Sequence, residues 1–242
     1  MRHICGLLAL CLIAFASPSM AQEVSISLGE EGSLATRSVQ LLVLITVLSL
    51  VPGIAIMVTC FPFLVTVFAI LRQAIGLQQS PPNMLIVSLA LFLTYFVMEP
   101  VFQEAWEVGI SPLMNDEISL EEGFLRSMAP LRRFMADRIA ADTFAALADL
   151  RPDVPLQTTI IDAPLSVMIP SFLLSEMERA FQVGFMIFIP FLIIDLVVAA
   201  VLMSMGMMMV PPAIVSLPFK LAFFVVADGW GLIATSLVRS YG

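Results

Sequence analysis

Three ionisable side chains stand inside long apolar runs: Asp195, Lys220 and Asp228. An ionised group at mid-bilayer costs at least about 2.5–3.5 kcal/mol, so each must be paired, face water, or lie outside the hydrocarbon. Asp195 and Lys220 flank a turn near residues 206–211. They stand about eleven and about nine residues from it, and at about 1.5 Å per helical residue they reach similar depth. A salt bridge between them is geometrically open. Two chemistries follow: a proton path, or an ion pair that fixes hairpin register or a subunit contact. The turn itself is the second feature. Met203, Met205, Met207, Met208 and Met209 surround Ser204 and Gly206 and run into Val210-Pro211-Pro212. Methionine is unbranched and polarizable, so it fills irregular gaps and repacks without a fixed shape. Alone, such a run is core filler; in a ring of identical subunits it would be a soft seal that shuts against ions and yields to a passing polypeptide.

Other chemistry finds no residues to use. The one histidine, His3, and two of the three cysteines, Cys5 and Cys11, fall in a leader-like start, leaving Cys60. Without the leader no serine–histidine or cysteine–histidine pair can form, nor a zinc set, nor a disulfide. Ile194-Asp195-Leu196 and Ala227-Asp228-Gly229 do not resemble the paired-carboxylate motifs of intramembrane aspartyl proteases. No phosphate-cradling glycine loop is present. Neither an enzyme nor a cofactor or metal site is expected. A net charge of −8 also argues against nucleic acid, which needs a basic patch.

Composition says what kind of element carries these residues. Of 242 residues 60% are hydrophobic and 12% charged, with a mean hydropathy of +1.02. A soluble domain has about 25% charged and about 45–50% apolar residues, so the bilayer is the natural solvent. Met1-Arg2-His3, an apolar run over 4–15 and Ser19-Met20-Ala21 read as a signal peptide over 1–21, cut after Ala21. Residues 22–40 are then a periplasmic tail. A first helical hairpin is expected over 41–101: an apolar stretch at 41–71, broken by Pro52-Gly53 and Pro62 and so kinked, tilted or re-entrant, then a second at 84–97 closed by Glu99-Pro100. Arg72, Gln78 and Gln79 mark its cytoplasmic tip. A wet periplasmic insert follows over 102–183. Between Glu104 and Arg179 lie thirteen of the nineteen acidic residues and six arginines, which read as a solvated face. The arginines offend the positive-inside rule, but that rule lapses for inserts beyond about 60 residues. Inside the insert, Leu131, Phe134, Met135, Ile139 and Phe144 predict an amphipathic helix starting near Pro130, whose stripe is core or a subunit contact. Apolar segments at 184–203 and 213–238 make the second hairpin, 184–242, with the methionine-rich turn at its tip. The expected fold is an all-α membrane protein: two apolar helical hairpins flanking a periplasmic helical insert, after a cleaved signal peptide.

Several blocks resemble the FliP family of flagellar export-gate subunits. They are Pro170-Ser171-Phe172, Ser175-Glu176, Ala180-Phe181-Gln182-Val183-Gly184-Phe185, Pro190-Phe191-Leu192-Ile193-Ile194-Asp195-Leu196, the methionine run, Leu217-Pro218-Phe219-Lys220-Leu221 and Asp228-Gly229-Trp230. The first hairpin agrees through Leu71-Arg72-Gln73-Ala74, Pro81-Pro82-Asn83 and Leu89-Ala90-Leu91-Phe92-Leu93-Thr94. Phe63 departs from the family, which often has an arginine there. The resemblance implies a homo-oligomer, a pentamer joined by FliQ and FliR and working with FlhB and FlhA. It would pass unfolded flagellar proteins across the inner membrane of the basal body, with the helices largely above the bilayer plane. It turns Met203, Met205, Met207, Met208 and Met209 into a channel gasket, and makes Asp195, Lys220 and Asp228 buried charges of the assembly. Rival readings are the equivalent injectisome subunit and a proton-coupled transporter using Asp195 and Asp228.

Overall fold

The computed structural model describes residues 34–77, 80–152, 155 and 158–241. The expected leader, most of the tail before residue 34, and Gln78 and Gln79 of the first tip lie outside them. Among the described residues every regular element is helical. The chain falls into two units, residues 1–47 and 48–242. Helix α1, Leu34–Met57, is apolar, and its described side chains are exposed.

Within residues 48–242 the centre is α2, Phe61–Ile75, whose Phe63, Leu64, Val67, Phe68 and Leu71 are fully buried. Its start shows why the 41–71 stretch breaks where it does. Pro52 is accommodated inside α1, and the helix stops instead at Val58–Cys60, with Pro62 in the first turn of α2. There a missing N–H removes nothing, because first-turn donors have no intrahelical acceptor. Gly76, at φ +89, ends α2 by donating to the carbonyls of Arg72 and Gln73. A residue with a Cβ would resist that left-handed turn.

Helix α3, Asn83–Ala105, passes through Pro100 and continues by a π-helical turn, Trp106–Ile110, into α4, Ser111–Met114. The expected stop at Glu99-Pro100 is thus a local disturbance inside a longer rod. Helix α5 spans Leu120–Ala136, ten residues ahead of the predicted start. Ser119 caps it by accepting from the Glu122 N–H at 3.3 Å, a serine three residues before a glutamate that marks a helix start in the sequence itself. Pro130 is buried mid-helix. The apolar stripe is divided, with Met135 in α5, Ile139 in the following turn and Phe144 in α6, Ala141–Ala148. All three enter one core with Val167, Met168 and Phe172, so this stripe is core.

Helix α7, Leu165–Ser204, runs 40 residues. It absorbs both the end of the wet insert and the third apolar segment, since glutamate and arginine are good helix formers and a change of polarity does not stop a helix. Gly184 lets α7 meet α2; a Cβ there would lie 2.5 Å from Ile70 Cδ1. Helices α8, Pro212–Val226, and α9, Gly229–Arg239, divide the fourth segment with a bend of 60°.

Three stretches, Ser38–Met57, Asn83–Met114 and Leu165–Ser204, are long and apolar enough to cross a bilayer, and the bent pair α8–α9 would make a fourth. The chain is an all-α membrane protein. At 15 residues each, α2 and α8 are only about 22 Å long, short of the roughly 30 Å hydrocarbon core.

Candidate functional site

The methionine-rich turn connects α7 to α8. Gly206 (φ +76) donates to the Met203 carbonyl at 3.0 Å and Met207 to that of Leu202 at 3.0 Å, which closes the end of α7. Pro211 and Pro212 then start α8 at positions where proline is tolerated. Backbone bonds are therefore settled within the turn, and the side chains are left over. Met203, Met205, Met207, Met208 and Met209 are all exposed, Met209 to 98%. Beneath them an apolar groove of about 540 Å³ runs between α7 and α8, lined by Ile194, Val198, Leu202, Met205, Val215 and Phe219.

A polar lock sits behind the turn. Lys220 Nζ donates to Asp195 Oδ2 at 2.6 Å and to the Ala74 carbonyl at 3.2 Å. Ser216 Oγ donates to Asp195 Oδ1 at 2.5 Å. Ser216 and Lys220 are one helical turn apart on α8 and share a face. Ala74 lies in the last turn of α2, where carbonyls lack helical partners and a cation is favoured. Three helices are tied at one point, and the two residues that helix geometry puts at equal depth do meet. Both Asp195 oxygens are engaged. Asp228 is not brought to this pair. It is exposed at the α8–α9 bend with φ +47, a backbone that aspartate tolerates better than most side chains.

A second polar cluster escaped the sequence reading. Glu176 on α7 is completely buried. Arg138 Nε donates to its Oε1 at 2.9 Å, and the Tyr241 hydroxyl donates to its Oε2. Arg138 Nη1 donates to the Ser240 carbonyl at 2.8 Å, and the guanidinium lies 3.9 Å from the Tyr241 ring centroid. Phe63 meets Tyr241 edge-on. Burial first, then the adjacent Glu176 carboxylate, pushes the Tyr241 phenol well above its ordinary range. The insert's other charges include the exposed pairs Arg126–Glu122 and Arg133–Glu104, and these fit the solvated face. Glu176 does not. Its sequence signal is a carboxylate on the same helical face as Phe172, Ser175 and Ala180, all buried.

No group of three or more potential metal ligands occurs among the described residues. A family model described as the FliP family matches residues 44–237, a range that holds the long helices, the lock and the sulfur-rich turn. The chain belongs to the FliP family. The Flagellar biosynthetic protein FliP of Caulobacter vibrioides is 50% identical over 231 residues, 96% of this chain and 86% of that one. The protein of the same name from Bacillus subtilis is 47% identical over 207 residues, 85% of this chain and 93% of that one. That of Aquifex aeolicus is 46% identical over 214 residues, 87% and 88% respectively. The family range includes Asp195, the five methionines, Lys220, Asp228, Arg138 and Glu176; Tyr241 lies beyond it.

Proposed function

We propose that the chain is a core subunit of the flagellar type III protein export gate. Five copies of it encircle a conduit for unfolded flagellar proteins across the bacterial inner membrane. FliQ and FliR complete the gate, and FlhB and FlhA belong to the same apparatus. The wet insert lies on the periplasmic side. The observation that carries the reading is the exposure of all five methionines at the tip of a helix pair whose base is locked. A ring of such tips would give a deformable apolar collar, since thioethers repack at little cost. The lock would hold its depth constant from copy to copy. Asp195 and Lys220 thereby act in assembly, and Asp228 lies where a neighbouring chain could meet it. The short α2 and α8 support an assembly standing partly above the bilayer, which relieves the desolvation of the buried charges. Purification in mild detergent tests this. A ring of several copies retaining two small hydrophobic partners is expected, together with loss of motility on deletion. Recovery of a fully functional lone monomer would contradict it.

A further inference from the structure

The wet module is tied to α9 across a long stretch of sequence. Arg138, in the turn after α5, reaches the Ser240 carbonyl 102 positions away. The same guanidinium holds Glu176 on α7, and the other Glu176 oxygen takes the Tyr241 hydroxyl. One buried carboxylate therefore grips the module and the end of α9 together. The Tyr241 ring adds to the grip by stacking on Phe134 of α5 at 6.0 Å. Elsewhere α9 is held by Gly229 and Leu237, which are buried, by Ile233 against the main core and by Trp230 against Phe68. At its near end, Trp230 sits edge-on to Phe224 of α8, and α8 leads back to the methionine turn.

We propose that Arg138, Glu176 and Tyr241 form a latch that makes the wet module and α9 open and close as one unit. A load on the module then passes through α9 and the Asp228 bend to α8 and the turn. Arg138, Glu176 and Tyr241 are positioning residues here, and the latch rests on these contacts alone, not on the export reading. Arg138 Nη2 finds no hydrogen-bond partner among the described residues.

Hydrogen exchange read by mass spectrometry on the full chain in detergent tests the latch, because exchange resolves cooperative units of opening. In Tyr241→Ala, exchange over 229–239 should rise tenfold or more, and that over 134–148 should rise in step, while 83–98 stays unchanged. Tyr241→Phe keeps the ring and loses the hydroxyl, and Glu176→Gln keeps the shape and loses the charge. Each should accelerate both segments several-fold. The double variant should exceed neither single by much, as expected of partners in one contact. If Tyr241→Ala does not fold, the two conservative variants decide. Acceleration of 229–239 alone, no change in either segment, or a double variant that sums the singles would overturn the proposal.

Discussion

The methionine turn and the Arg138–Glu176–Tyr241 cluster are opposites built on the same long helix. At the turn, large side chains are mostly exposed, and the backbone closes on itself. At the cluster, every side chain is held by several others, and a fully buried carboxylate ties elements distant in sequence. Softness at the turn needs firmness behind it. In the proposed export gate, a collar that repacks would be useful only if the helices bearing it did not wander, a constraint the Asp195–Lys220 lock and the cluster would supply. Stability should therefore depend on the cluster and hardly at all on the methionine side chains of the turn.

The largest expected effect sharpens this contrast. Glu176→Ala strands Arg138 in the interior, and breaking a buried pair typically costs about 3–5 kcal/mol. Thermal unfolding in detergent should show a fall of that order; a loss below about 1 kcal/mol would mean an ordinary solvated pair. Glycines give the next test. A Cβ at Gly109 would lie 2.6 Å from the Ser127 nitrogen and 2.7 Å from the Gly123 carbonyl, backbone atoms that cannot step aside. Gly109→Ala should cost about 1–3 kcal/mol or more. Gly206 has open space around it, so Gly206→Ala meets only its left-handed φ, worth about 1–2 kcal/mol. The reverse order would break the comparison.

A smaller effect is pH-dependent. The folded state keeps the Tyr241 proton, whereas an unfolded tyrosine releases it above about pH 10. The stability this group supports is thus complete below about pH 10 and erodes above it, by about 1.4 kcal/mol per pH unit. Unfolding midpoints at pH 9 and pH 11 should differ more in wild type than in Tyr241→Phe. Equal differences would place Tyr241 in water.

The sequence discloses the apolar spans, the turn and the Asp195–Lys220 pair, because each is written in local composition or in helix rise. It hides what depends on distant partners. Glu176 reads as one more charge in an acidic insert until Arg138, 38 positions earlier, and Tyr241, 65 later, are seen against it. Polarity does not punctuate these helices. Charges at 176–179 do not interrupt α7, and Pro100 and Pro130 do not end or begin their helices. The start of α5 was legible in Ser119 and Glu122, a cap that outranks a proline eleven residues on. The break at Val58–Cys60 is foreshadowed by Pro62, which stands in the first turn of α2.

The proposed role of the exposed sulfur-rich turn is to seal a passage without holding the subunit together. Replacing Met205, Met207, Met208 and Met209 together with alanine and measuring ion flux through the assembled complex tests it most directly. The expected result is unchanged assembly, a stability change within about 1 kcal/mol, and a clear rise in ion leak. Mutant complexes that assemble normally and stay as ion-tight as wild type would contradict it.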